Sequence, residues 1–420
     1  MNLLVIGSGG REHAICQKLL HSRGVTKVFC APGNDGMAQS GINCIAIPET
    51  DAKALIQFAQ KEDISYTIVG PEIPLLEGIV DEFENAGLLA FGPSKKAALI
   101  EGSKDYAKQF MKKYQIPTAK SETFTDYNKA KAYLDEKGAP IVIKADGLAA
   151  GKGVAVAMTM PEATLALKEM MLQKRFGEAS EKVVIEEFLE GEEFSLMAFV
   201  NGDEVYPMAI AKDHKRAYDG DKGPNTGGMG AYSPVSSISS AIEKEAIETI
   251  LIPTAKGMKI EGRPFRGVLY AGLIATESGP KVIEFNARFG DPETQVVLPR
   301  LESDFATLIL ALLHNEKPDV RFQKEGLHLG VVLAAKGYPD AYEKGHIVTG
   351  LEQISPEIGI YHAGTKRDEA SNLISNGGRV LLLETSGATM KEARLHLYEE
   401  MKKLDNPDFF YRIDIGLKAE

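Results

Sequence analysis

Through the first hundred residues, short apolar runs alternate with amphipathic stretches. "NLLVIG", "KVFCA", "INCIAI", "YTIVG" and "LLAFG" are rich in β-branched residues and are closed by Gly or Pro, which predicts strands. Between them, "EHAICQKLLHS" and "DAKALIQFAQKE" space their apolar residues at helical intervals. That order predicts an open parallel α/β sheet. Next, "SKDYAKQFMKKYQIPTA" begins at a capping serine, Ser103, and must stop at Ile116, before Pro117. It predicts a helix leaving the first domain.

Two strand-rich segments follow, "APIVIKADGLAAGKGVAVA" and "KVVIEEFLEGEEFSLMAFV", separated by a helix near residues 161 to 175. An α+β stretch runs to about residue 320. "HLGVVLAA", "IGIYHAGT", "GGRVLLLE" and a helix from about Met390 to Leu404 predict a last, mostly β module.

One strand pattern carries chemistry on one face. If Val282 to Phe289 in "KVIEFNARFGDPETQ" is extended, Ile283, Phe285, Ala287 and Phe289 share one face and Glu284, Asn286 and Arg288 the other. The first face is a core. On the second, Glu284 and Asn286 offer hard oxygen donors to Mg²⁺ bridging nucleotide phosphates, with Arg288 placed to neutralise a transferring phosphoryl group. An edge-strand salt bridge fits the same pattern.

At 420 residues the chain exceeds one hydrophobic core, so two to four domains are expected. Apolar residues at 44% and charged residues at 25% are ordinary for an ordered globular chain. The longest apolar stretch, "TLILALL", is far too short to cross a bilayer, and "MNLLVIGSGG" lacks the basic start of a signal peptide. Cys16, Cys30 and Cys44 are odd in number and unpaired in spacing, which fits a reducing cytoplasm rather than a disulfide framework or a zinc site. A net charge of -11 argues against a nucleic-acid binder but leaves anionic small molecules open, since local lysines and helix N-termini hold phosphates.

Four further segments suggest where such anions sit. In "VIGSGGREHA" a strand opens through Gly7, Gly9 and Gly10 into a helix, which is a phosphate cradle or a turn serving only the fold. Glu12 stands where a dinucleotide fingerprint wants a small residue, which counts against a nicotinamide-dependent oxidoreductase. Lys144 ends a buried strand before a loop holding Gly147, Gly151, Lys152 and Gly153, so its ammonium can meet phosphates while the loop folds over them; a flexible hairpin is the alternative. "VVIEEFLEGEEFS" sets Glu186, Phe188, Leu189 and Glu193 at a turn between lobes, as a nucleotide cleft requires. "AKDHKRAYDGDKGPNTGGMGAYSP" reads as a long functional loop or a mobile surface loop. In it Asp213 can receive an amine, and Asn225, Thr226, Gly227, Gly228 and Met229 can turn backbone N–H groups to an anion.

Together, "GSGGREHA", "IVIKADGLAAGKGV", "EEFLEGEEFS", "KDHKRAYDGDKGPNTGGMGAYSP" and "VIEFNARFGDPETQ", in that order, closely resemble the phosphoribosylamine–glycine ligase (glycinamide ribonucleotide synthetase) family of the ATP-grasp superfamily, nearly end to end. The resemblance implies an N-terminal α/β domain over residues 1–102 and an ATP-grasp domain over 103–322. The latter divides into a small subdomain near 120–190 and a larger one at 191–322, and a C-terminal β-rich module over 323–420 follows. It implies an ATP-dependent carbon–nitrogen ligase of purine biosynthesis, using Mg²⁺ or Mn²⁺, glycine and 5-phosphoribosylamine, and acting as a monomer. Lys104 and Lys144 are then expected on ATP phosphates, Glu186 and Leu189 at adenine, Glu193 at ribose, and Glu284 and Asn286 on metal. Arg288 is expected on the acyl phosphate, with Gly9, Gly10, Arg11, Glu12, Asp213, the 225–229 run and Asp291 on the substrates. Many relatives carry an additional metal-binding acid on the strand before the Glu-x-Asn strand, where Tyr270 and Gly272 stand here, so the metals would lean more on phosphate and water. Another ATP-grasp ligase or carboxylase shares the same ATP machinery and is the alternative.

Overall fold

The computed structural model describes residues 1–147 and 153–419. The first five strands, β1 (Asn2–Gly7), β2 (Lys27–Pro32), β3 (Asn43–Cys44), β4 (Ile64–Val69) and β5 (Ala90–Phe91), form a parallel sheet ordered β3-β2-β1-β4-β5. Strand β1 lies at its centre. Leu3 and Val5 enter one core cluster while Leu4 and Ile6 enter another, so helices cover both faces, as the apolar run predicts. "INCIAI" shrinks to a two-residue edge strand.

The helix predicted from Ser103 runs Lys104–Lys113, with the Tyr106 N–H donating to Ser103 Oγ at 3.1 Å. It closes three residues earlier than Pro117 requires. Gln115 takes a left-handed φ of 56° and the Ile116 N–H turns back to the Met111 carbonyl, a C-terminal closure that propensity does not announce.

Two antiparallel sheets follow. The smaller is built from β6 (Ser121–Phe124), β7 (Ile141–Ala145), β8 (Val154–Ala157) and β9 (Val183–Glu187), ordered β6-β9-β7-β8. The larger uses β10 (Glu192–Gly202), β11 (Glu204–Pro207), β16 (Phe265–Thr276) and β17 (Gly279–Asn286), ordered β11-β10-β16-β17. Strand β17 corrects the simple alternation. Gly272 faces Glu284 but Leu273 faces Val282, so Ile283 is the extra residue of a β-bulge. Val282, and not Ile283, therefore joins the core with Phe285 and Ala287, while Ile283 turns to the cavity described below; the strand ends at Asn286.

The expected 212–234 loop is strand-rich. Strand β12 (Lys212–Asp213) pairs with β15 (Gly230–Ser233), and β13 (Arg216–Tyr218) with β14 (Lys222–Asn225) as a hairpin. Strand β15 pairs in turn with β18 (Leu327–Ala335) of the C-terminal sheet, ordered β12-β15-β18-β22-β19, where β19 is Gly359–His362 and β22 is Arg379–Gly387. "GAYS" is too short to show periodicity, and its partner lies about a hundred residues away, so no local signal marks it. The helix Met390–Met401 packs on β18 and β22. Among the described residues, no helix is long and apolar enough to cross a membrane.

The N-terminal helix Gly10–Leu20 docks on β19 through two buried histidines. His13 Nδ1 accepts from the His362 N–H at 2.8 Å, and the rings stack with centroids 5.7 Å apart. Burial, and then the neighbouring His362, push His13 down to about 3; burial pushes His362 down to about 4. A lowered folded-state value means the unfolded chain binds more protons, so stability is fully present above pH 6.5 and is lost as pH falls toward 4. Each histidine is expected to contribute a loss of about 2 kcal/mol by pH 5. Thermal melts at pH 7 and pH 5 check this against His13→Gln, which should show a smaller difference between the two.

Candidate active site

A cavity of about 990 Å³ lies where the sheets meet and is lined from all three parts of the chain. Glu284, Asn286 and Arg288 all border it, as the strand pattern predicts, and so do Lys104 and Lys144. Lys144 is buried at the end of β7 and donates to the Ile283 carbonyl at 2.9 Å, so the bulge that moved Ile283 also supplies this contact. Lys104 opens its helix and donates to the Gly147 carbonyl at 2.9 Å. Gly147 and Gly153 line the cavity; Gly151 and Lys152 lie outside the described residues.

Burial opposes ionisation of Glu284, but Lys215, Lys144, Lys104 and Arg288 together hold it below the usual carboxylate range. Asn286 Oδ1 accepts from Arg288 Nη2 at 3.3 Å and keeps a second lone pair. Arg288 is braced by Glu72 at 3.3 Å and Glu101 at 3.2 Å, and those acids raise it further despite burial. Across the sheet, Gly272 faces Glu284 and Tyr270 faces Asn286. A Cβ at 272 would sit 3.4 Å from Glu284 Cγ, in ordinary contact with it. Tyr270 instead donates to the buried Glu293, which also accepts from Ser195 Oγ at 3.1 Å.

Among the described residues, no three His, Cys, Asp or Glu side chains converge on one metal position. One ionised carboxylate and one amide oxygen side by side do fit Mg²⁺, which keeps water and phosphate oxygens in its octahedron rather than requiring a protein cage.

Elsewhere on the cavity wall, Glu186 is clamped between two buried lysines, with Lys144 and Lys108 each 3.1 Å from Oε2. Its Oε1 is buried and has no hydrogen-bond partner among the described residues. Lys108 also donates to Thr118 Oγ1 at 2.8 Å, and burial, opposed by Glu186, pushes it down to about 8. Phe188, Leu189 and Glu193 border the same cavity, and Glu193 meets Lys215 at 3.5 Å.

At the far end the expectations divide. Asp213, Asn225, Thr226, Gly227 and Asp291 reach the wall. Burial, opposed by Lys215 and reinforced by Glu293, Glu193 and Glu284, raises Asp213. Asp291 is already held by Gln295 Nε2 at 2.8 Å and Arg379 Nη2 at 2.9 Å, and despite burial it stays below the usual range. The 225–229 run is not an open anion nest. The N–H of Thr226 donates to the Lys215 carbonyl, Gly227 to Tyr338 Oη, Gly228 to Thr226 Oγ1 and Met229 to the His214 carbonyl. Gly228 is buried, and the Met229 side chain packs in a core with Ala14, Val332 and Leu382, because strand pairing through β15 turns it inward.

The glycine-rich N-terminal loop also differs from the phosphate cradle. The Gly9 N–H donates to Glu12 Oε2 at 2.7 Å and Arg11 Nε to Oε1 at 2.6 Å, so the chain's own carboxylate meets the helix start. A Cβ at Gly70 would lie 2.1 Å from Glu12 Oε1, so the glycine there makes room for that side chain. Glu three residues after the cap was the readable signal: its side chain accepts the Gly9 N–H, the one half of a capping box that a glycine cap permits. Among the described residues of this loop, Arg11 alone lines the cavity, donating to the Phe289 carbonyl at 3.0 Å, and Gly9, Gly10 and Glu12 do not.

Several participants were missed. Lys108 was legible, four residues after Lys104 and so on the same helix face. Lys215 was legible as the second residue after Asp213. Glu72, Glu101, Glu293 and Arg379 arrive from distant segments and carry no local signal.

Two sheets closing over paired lysines and a Glu-x-Asn strand define an ATP-grasp enzyme. Residues 1–101 match the N domain, 102–294 the ATP-grasp (A) domain and 328–418 the C domain of phosphoribosylglycinamide synthetase. The phosphoribosylamine–glycine ligase of Listeria monocytogenes is 72% identical over 420 residues, covering 100% of both chains. The crystal structure of that ligase from Thermotoga maritima has a TM-score of 0.86 at 37% identity, covering 99% of this chain and 100% of the other. A biotin carboxylase from Campylobacter jejuni shares the fold, with a TM-score of 0.75 at 14% identity over 99% and 94% of the two chains. The chain belongs to the phosphoribosylglycinamide synthetase family, the ATP-grasp carbon–nitrogen ligases of purine biosynthesis.

Proposed function

We propose that the cavity binds ATP, glycine and 5-phosphoribosylamine and joins the latter two through a glycyl phosphate, releasing ADP and phosphate. The observation that carries this reading is the common wall shared by Glu284, Asn286, Arg288, Lys104 and Lys144. Lys104 and Lys144 hold the ATP phosphates, and the unpaired Glu186 Oε1 is an acceptor for the adenine amino group. Glu193 takes ribose hydroxyls, and Phe188 and Leu189 flank the base. Glu284 and Asn286 hold Mg²⁺, which when bound offsets phosphate charge.

A carboxylate is a poor electrophile because its leaving group would be oxide. Glycine's oxygen therefore attacks the γ-phosphorus, with Arg288 stabilising the transferring group, and the acceptor amine then displaces phosphate from the acyl carbon. Burial raises Asp213 toward neutral pH, which makes its ionised form a stronger base for an amine proton. Positioning and charge do the work, with no covalent enzyme nucleophile. The chain's three free thiols fit a reducing cytoplasm.

A coupled assay tests the reading. ADP release should require glycine and phosphoribosylamine together; release driven by bicarbonate, or by glycine alone at the full rate, would overturn it.

A further inference from the structure

The cavity's cations fall into two groups. Lys104 lies in the field of Glu284, Lys144, Asp146 and Glu186, whereas Arg379 answers to Asp291, Glu293 and Arg288. Arg379 opens β22, in the C-terminal sheet, yet its guanidinium reaches across to two turns of the preceding region. Nη1 donates to the Gly227 carbonyl at 2.7 Å and the Asp291 carbonyl at 3.1 Å, and Nη2 to Asp291 Oδ2 at 2.9 Å. From the same module, Tyr338 Oη accepts from the Gly227 N–H at 3.0 Å, so both backbone groups of Gly227 are tied down. The turns are pressed together: a Cβ at 227 would lie 3.0 Å from Arg379 Cζ, and one at 228 would lie 2.4 Å from Pro292 Cδ.

We propose that Arg379 is a positioning residue for the amine-donating substrate, a three-way clamp by which the C-terminal module sets Asp291 and Gly227 against Arg288. The inference rests on the ligase reading above. Glycine's carboxylate must meet the γ-phosphate beside Lys104, Lys144 and Glu284, so the space beyond Arg288, walled by Asp291 and Arg379, falls to the second substrate. Asp291, its charge and orientation set by Arg379, is the acceptor for that amine's N–H. The guanidinium presents these donors from two separate nitrogens held in one rigid plane, whereas an ammonium offers its three from a single atom on a flexible stem and does not reproduce that spacing.

The test compares Arg379→Met, Arg379→Lys, Asp291→Asn and the double variant Arg379→Met/Asp291→Asn, with phosphoribosylamine formed in the assay from ribose 5-phosphate and ammonia. Arg379→Met should raise KM for phosphoribosylamine about tenfold or more, leaving KM for ATP and calorimetric affinity for ADP within about twofold. Arg379→Lys should recover only part of the loss, and the double variant should be no worse than the worse single one. Parallel increases for ATP and the amine, or effects that multiply, overturn the clamp. The wild-type control separates the two levels: ADP release independent of phosphoribosylamine sinks the ligase reading and the clamp with it, whereas intact dependence with an unmoved KM in Arg379→Met sinks the clamp alone.

Discussion

Glu284→Gln should fold normally and ligate roughly 10²- to 10³-fold more slowly at saturating ATP. The amide keeps the shape of the side chain, so the bulged register of β17 and the packing of Val282 and Phe285 are undisturbed. What disappears is the single negative charge that Lys215, Lys144, Lys104 and Arg288 all face. Without it, the pair with Asn286 loses its ionic donor to a divalent ion, while Lys144 keeps Glu186, Arg288 keeps Glu72 and Glu101, and Lys215 keeps Glu193, so the fold stands. Melting temperature should stay within about 4 °C of wild type, which separates lost chemistry from lost structure. Near-normal turnover at ordinary Mg²⁺ would end the metal assignment.

Glu186→Gln should do the opposite, with its largest effect on stability. At pH 7 the substitution removes the one carboxylate within ion-pair distance of both buried lysines, Lys108 and Lys144, and breaking a buried ion pair from one side costs about 3 kcal/mol or more. Lys108 reports on this directly. Its folded value of about 8 lies below that of a free lysine, so the unfolded chain binds more protons between about pH 8 and 10.5, and this group's contribution to stability rises with pH across that window. Removing Glu186 takes away the acid that supports its charge, so the stability gap to wild type should narrow as pH approaches 9 and the lysine sheds its proton. Denaturant midpoints for the two proteins at pH 7 and pH 9 measure both effects. A constant gap, or none at pH 7, would show that the three side chains do not share charge as the geometry requires.

Much of the site was legible because strand alternation is local. Glu284, Asn286 and Arg288 share the cavity because residues two apart share a face, and the bulge at Ile283 lies before them in the chain and leaves their relation intact. The same bulge changed Ile283 from a core residue to a cavity residue, since one inserted residue reverses the face of everything on its other side. The misreadings at Gly9 and at the 225–229 run have another common cause. Glycines and N–H groups in a sequence read as room for a ligand, whereas Glu12 fills one such place and strand pairing, Tyr338 and Thr226 fill the other.

From the order of its apolar runs, the sequence by itself determined the parallel N-terminal sheet, the capped helix beginning at Lys104, and the cavity-lining residues on their strands and turns, because each depends on neighbours within a few residues. Only the tertiary structure decided which charges meet. Lys108 with Glu186, Glu72 and Glu101 with Arg288, and Arg379 with Asp291 join segments 78 to more than 200 residues apart, or otherwise far along the chain. Their pairing follows from how whole sheets pack, and Coulomb interactions at 3 Å inside a shielded cavity carry no signature in the local pattern that supplies each partner.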